Sequence, residues 1–266
     1  MLQGEHIKLT YLDSKGIAEP IRLALSIGGV PFEDNRVSYE EIADMRAAGK
    51  LPFGQVPVLE VSEDPGKVGL DGSSKKGPVV IGQSNAILRW AGARVGLATP
   101  APGSYAALQL DSQLDALSDI HKALVPAWYK HACARSPVSG SFYPETVLSQ
   151  AQSSAVLEAL NSEILPARFA LMEKVHANLA ADVAANESEV ESEGLGLEMY
   201  LCGRGLSVAD LVLYCLVTGF KDTQKPFCEG IQPTVADQCP LLLRIVERVG
   251  AVTAVQRWEE FECGQW

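Results

Sequence analysis

No cysteine precedes Cys133, and none of the six cysteines (Cys133, Cys202, Cys215, Cys228, Cys239, Cys263) forms a Cys-x-x-Cys pair. The N-terminal region therefore has no thiol for dithiol exchange. Scattered cysteines in a chain of 266 residues read as free thiols rather than a disulfide framework. The four histidines show no His-Glu-x-x-His motif and no Cys/His cluster at ligand spacing, so no metal site is expected. No apolar run reaches membrane-spanning length, and the first residues lack the basic start and apolar core of a secretory leader. The expectation is a cytoplasmic protein. Positive charge is also scarce: 22 Lys and Arg face 33 Asp and Glu, for a net charge of −11. Such a surface repels phosphate backbones and anionic lipid, which argues against nucleic-acid and membrane partners.

What is present is core material, with hydrophobic residues at 47 %. Ile7, Leu9 and Tyr11 alternate with Lys8, Thr10 and Leu12, the period of a strand. Asp13 and Ser14 are helix-cap residues, and Ile17, Ile21, Ala24 and Leu25 come next at helical spacing until Gly28-Gly29 stops the helix. Residues 31–37 read as a second strand and 39–48 as a short helix. This is a βαβ unit, which implies parallel strands. Strands at 57–61 and 79–81 and a helix at 84–95 complete a βαβ-ββα order. Residues 62–78 form a long polar connection, expected to be exposed and mobile.

Thr99-Pro100-Ala101-Pro102-Gly103 reads as a linker, because prolines and glycine do not continue a helix. Beyond it the alternation of strands disappears. Helices are expected from Tyr105 to about Arg135, from Glu145 to about Leu179 with a break near Pro166, at 206–211 onward, and at 240–250 and 252–260. Ser207 and Asp210 occupy the N-cap and N3 positions of a capping box. Residues 182–198 are acidic with no basic residue and read as a solvated insertion. The domains expected are 1–97, an α/β thioredoxin-like fold, and 104–266, an all-α helical domain.

A thioredoxin-like order directs attention to three places. The first, after strand one, holds Tyr11 and Ser14, a phenol and a hydroxyl. The second is Leu51-Pro52-Phe53-Gly54-Gln55-Val56-Pro57-Val58-Leu59. A cis bond before Pro57 would turn the Val56 backbone groups outward, where an extended peptide could pair with them. The third is Gln83-Ser84, at a helix N-terminus suited to a carboxylate.

The runs Leu9-Thr10-Tyr11, Ala18-Glu19-Pro20-Ile21-Arg22, residues 51–59, and Gln83-Ser84-Asn85-Ala86-Ile87-Leu88-Arg89 resemble those of cytosolic glutathione transferases. So do Leu206-Ser207-Val208-Ala209-Asp210-Leu211 and the closing stretch 248–258. The nearest likeness is to the sigma, tyrosine-type class, and it covers nearly the whole chain apart from 62–78 and 182–198. The resemblance implies an enzyme that joins the thiolate of glutathione, its co-substrate, to a hydrophobic electrophile. Tyr11 matches the catalytic tyrosine, with Ser14 as the rival hydroxyl. Val56 and Pro57 match the segment that holds the cysteinyl backbone, and Gln83 and Ser84 the γ-glutamyl carboxylate site. Lys50 or Gln55 would reach the glycyl end. Asp119 matches an acidic position that reaches the glutathione of a partner subunit, which requires a homodimer. Ile17 stands where the class usually carries an arginine, with Lys15 the nearest basic residue, and no tryptophan precedes Lys50. Arg22 and Arg89 read as structural ion-pair partners. The electrophile pocket is expected to draw on the helical domain, with His121, Trp128, Tyr129 and Phe220 as candidates. A glutathione-dependent isomerase of the prostaglandin type and a non-catalytic, crystallin-like or ligand-binding member are the alternatives.

Overall fold

A computed structural model describes residues 5–62, 78–97, 100–131, 149–186, 199–203, 205–222 and 228–264. The described residues fall into two compact units that divide between Val95 and Gly96.

The first unit is a four-stranded sheet in the order β2-β1-β3-β4. Strand β1 (His6–Leu12) lies parallel to β2 (Glu33–Val37) and antiparallel to β3 (Val58–Ser62), which pairs antiparallel with β4 (Val79–Gly82). Helices α1 (Glu19–Ile27) and α3 (Ser84–Val95) pack together, and α2 (Tyr39–Ala47) comes after β2. Alternation along β1 sends successive side chains to opposite faces. Leu12 joins Val37, Ile42, Met45, Leu51, Val56 and Val58 in one apolar cluster with α2. Tyr11, the neighbour, faces the other way, toward Arg22 of α1. A capping box starts α2, with Ser38 and Glu41 bonding each other's backbone N–H. The connection at 62–78 lies largely outside the described residues.

Strand register decides which residues share an end of the sheet. Thr10 of β1 is opposite Val58 of β3, and Val58 is opposite Gly82 of β4. Because β3 runs against both neighbours, Tyr11, Pro57 and Gln83 all stand one step beyond that row, at the same end of the sheet.

The second unit is helical: α4 (Tyr105–His131), α5 (Gln150–Ala159), a π-helical segment (Leu160–Ile164), α6 (Leu165–Asn186), α7 (Val208–Lys221), α8 (Pro240–Gly250) and α9 (Thr253–Gly264). Helix α4 buries Leu110, Leu114, Leu117, Ile120, Leu124 and Ala127, a one-sided helical stripe. Helix α7 is buried on most of its circumference, as the central helix of a bundle must be. The break expected near Pro166 is the π-helical turn that precedes it, where Asn161 receives the Gln232 N–H (2.8 Å) and donates to the Gly230 carbonyl (2.9 Å). Glu173 accepts the N–H groups of Leu241 (2.8 Å) and Leu242 (2.9 Å), satisfying the start of α8.

The structure corrects three expectations from the sequence. The acidic stretch is not loop from its first residue, since α6 continues to Asn186. Its alanines favour helix, and a single carboxylate, Asp182, does not outweigh them. Neither Asp13 nor Ser14 caps α1: a 3-10 turn (Gly16–Ala18) intervenes, and Pro20 in the first turn starts the helix. Phe220 is core, 3 % exposed and edge-on to Phe169 at 6.5 Å. Trp128 and Tyr129 have side chains outside the described set.

Candidate functional site

Tyr11 is half-buried, and its hydroxyl lies against Gly16: a Cβ on that glycine would sit 2.5 Å from the phenol oxygen. Gly16 also has φ +45°, a backbone conformation that side chains disfavour. The Ile17 backbone N–H lies close enough to that oxygen to favour its anionic form. Burial raises the phenol above its ordinary 10.0, opposed by the Ile17 N–H and the charge of Arg22. The hydroxyl therefore keeps its proton at neutral pH and has it to offer.

Arg22, on the first turns of α1, is completely buried. Its Nε donates to Asp34 (2.9 Å) and its Nη1 to Glu19 (3.0 Å) and to the carbonyls of Ser14 (2.9 Å) and Lys15 (3.2 Å). Asp34 also takes Nε of Arg36 at 2.8 Å. Ser14 itself is exposed.

The Val56–Pro57 peptide is cis. Val56 packs on the α2 cluster two residues before β3 is first paired. Arg46 donates from Nε to the Gly54 carbonyl (2.8 Å), tying this loop to α2. The segment in which a tryptophan is usual is thus occupied by Met45 in the cluster and Arg46 on the loop. Gln55 is half-buried, and Lys50 is exposed where the chain leaves α2. Phe53 and Pro52 lie over Gly82, where a Cβ would meet Phe53 at 3.0 Å. This contact brings the 51–57 loop beside the start of α3.

Gln83 has φ +79°, a left-handed conformation for a residue with a Cβ. Strain of this kind costs on the order of 1–3 kcal/mol and gathers at ligand sites. Its carbonyl accepts the Ile87 N–H (3.0 Å), the first bond of α3, so Gln83 is the cap and Ser84 the first helical residue. The N–H groups of that first turn lack intrahelical acceptors and carry the positive end of the helix dipole. Tyr11, Val56, Pro57, Gln83 and Ser84 thus gather at one end of the sheet.

In the second unit, Asp119 is on the exposed side of α4 and pairs with Lys122 (3.0 Å). His121 donates from Nδ1 to the Leu117 carbonyl (3.1 Å), and burial lowers its pKa to about 4. Cys202, Cys228 and Cys239 have thiols pushed upward by burial, to about 12, 12 and 11, and are poor nucleophiles. No group of three or more metal-ligating side chains occurs among the described residues.

Three functional features escape a reading of the sequence. Gly16 could be suspected only from a glycine five residues after the tyrosine. The Ile17 N–H and the left-handed Gln83 are backbone properties with no residue signature.

Residues 134–262 match the family described as glutathione S-transferase, C-terminal domain. The chain is 39 % identical to glutathione S-transferase 1 of Ascaris suum over 121 residues, 46 % of this chain and 50 % of that protein. It thus spans about half the length of this curated relative. The structure of the glutathione S-transferase from Ascaris lumbricoides superposes with a TM-score of 0.60 at 25 % identity, covering 96 % of both chains. The structure of prostaglandin synthase D of Nilaparvata lugens gives a TM-score of 0.65 at 23 % identity, covering 96 % of this chain and 97 % of that one, a likeness of fold.

Proposed function

We propose that this chain, similar to glutathione S-transferases in its helical unit and in fold, is a transferase of that family that joins glutathione, through its thiolate, to electrophilic small molecules. The observation that carries this reading is the row Thr10–Val58–Gly82, which lines up Tyr11, the Val56-Pro57 turn and Gln83-Ser84 at one sheet end. Neighbouring strands lie about 4.8 Å apart, so the row spans about 10 Å. An extended tripeptide is also about 10 Å long.

The order of groups along that row supports the following roles. Tyr11 donates its retained proton to the sulfur, favouring thiolate over thiol. Lowering the thiol from about 8.5 by about 2 units corresponds to about 2.7 kcal/mol of preferential thiolate binding. The Val56 main chain, next to Pro57, pairs with the cysteinyl backbone. Gln83 and Ser84 receive the γ-glutamyl carboxylate at the α3 N-terminus. Lys50 or Gln55 meets the glycyl end. Ile17 has no side-chain donor, and its N–H, which favours the phenolate, is the group this chain offers at that position.

A homodimer is part of the proposal. Phe53 (61 % exposed) and Ile81 (40 % exposed) present apolar surface suited to a second copy. Asp119 would then reach the partner's glutathione amine. Its exposed pair with Lys122 is worth no more than about 1 kcal/mol, so exchanging partners costs little. The cytoplasm is the proposed location and conjugation of toxic electrophiles the proposed purpose.

The test is conjugation of glutathione to chlorodinitrobenzene by wild type and Tyr11→Phe. The variant should lose about 100-fold in kcat/KM, the size of one lost donor to a developing or stabilised anion, with little change in KM for glutathione. Equal rates in the two proteins would remove Tyr11 from the mechanism and promote Ser14.

A further inference from the structure

Arg22 is the largest side chain in the fold with no exposure at all. A buried guanidinium needs partners, and Glu19 and Asp34 supply charge on two sides. Neutralisation alone does not explain the rest of its bonding. Nη1 also takes the carbonyls of Ser14 and Lys15, at 2.9 and 3.2 Å. Those carbonyls belong to the turn whose next two residues are Gly16, the wall behind the Tyr11 hydroxyl, and Ile17, whose N–H lies near it. The guanidinium carbon stands 5.9 Å from the centre of the Tyr11 ring, within cation–π range. Nη2 is buried and has no hydrogen-bond partner among the described residues.

We infer that Arg22 is a positioning residue for thiolate formation: it locks the 14–17 turn against the Tyr11 hydroxyl and sets its positive charge beside the phenol ring. This rests on the reading of Tyr11 as the donor to sulfur. The two effects act in the same direction. The locked turn holds the oxygen where its proton points outward to the ligand. The charge makes the phenol a better donor, because it stabilises the negative charge left on the oxygen as the proton is shared with the sulfur. Lysine at this place keeps one positive charge but cannot bond a carboxylate and two carbonyls from a planar fork.

The test compares wild type, Arg22→Lys, Tyr11→Phe and the double variant, using glutathione and chlorodinitrobenzene, with cooperative thermal unfolding as the check on folding. Arg22→Lys should lower kcat about 10-fold and leave the KM for glutathione within about 3-fold, as expected of misplacement rather than lost binding. The acid limb of its kcat/KM profile should move up by about half a pH unit. In the Tyr11→Phe background the same substitution should add nothing, because its route to the sulfur is gone. An unmoved acid limb in folded Arg22→Lys overturns the inference, as does full additivity of the two substitutions. If Tyr11→Phe alone matches wild type, the Tyr11 reading fails and takes this inference with it, an outcome distinct from the other two. Should Arg22→Lys not fold, Arg22→Gln takes its place. It keeps an amide donor for the turn carbonyls and removes the charge, and the same upward shift supports the inference while an unshifted profile overturns it.

Discussion

The two units each contain a buried charged residue near the start of a helix, and the residues are used differently. In the helical unit, Asp210 accepts from the Leu201 N–H (2.8 Å), the Ser207 N–H (2.7 Å) and the Ser207 hydroxyl (2.6 Å). Its bonds all close locally, joining the capping box to the chain before it. In the α/β unit, Arg22 ties together four acceptors and still lies against the ring of Tyr11. A self-contained network holds a helix end; an open one reaches the side chain proposed to meet the ligand. Loss of Asp210 should therefore register in stability, whereas changes around Tyr11 should register in chemistry.

The largest expected effect is Asp210→Ala. It orphans two buried N–H groups and a hydroxyl, and should cost about 3–5 kcal/mol in urea unfolding. The activity of the molecules that remain folded should be unchanged. A loss of activity without loss of stability would erase the contrast between the units.

Gly16→Ala comes next. The added Cβ would meet the Tyr11 hydroxyl at 2.5 Å and sit on a backbone at φ +45°, so the ring must move. A cost of about 1–2 kcal/mol in stability is expected, with a loss of about 10-fold or more in conjugation. Wild-type rates in a stable Gly16→Ala protein would show that the wall behind the hydroxyl is not needed.

The smallest effect concerns pH and belongs to the helical unit. His121 is held near a pKa of about 4, below the ordinary 6.5. The unfolded chain then binds the proton more readily, so stability falls as pH drops from 6.5 toward 4. Asp210 acts oppositely: burial raises its carboxyl from 3.8 to about 6, so its contribution is lost as pH rises through that window. His121→Gln should remove the His121 contribution and leave those of Asp210 and of His176, whose pKa burial also lowers, so its urea midpoint should gain on wild type as the buffer is acidified through that range. A constant difference between the two proteins at every pH would contradict the assignment to His121.

Much of this was legible in the sequence because it rests on patterning and end signals. The alternation around Tyr11, the glycines after α1, the boundaries of α3 and the Ser207–Asp210 box all appear where residue types place them. What was not legible depends on main chain or on context. The Ile17 N–H would be the same on any non-proline residue, so its role has no letter. Gln83 adopts a conformation that glycine or asparagine would have announced. Arginine is a surface residue by default, and only the fold reveals that Arg22 has no exposure. Asp182 looked like the start of a loop because acidic residues come after it, but local helix propensity carries α6 to Asn186.

The central claim is that a protonated Tyr11 phenol, held by Gly16 and Ile17, donates to the sulfur of bound glutathione. Titrating the thiolate absorbance of glutathione bound to wild type and to Tyr11→Phe measures this directly. The account predicts a bound thiol about 2 units below its free value in wild type, and a return toward the free value in Tyr11→Phe. An equally acidic thiol in both proteins would contradict it.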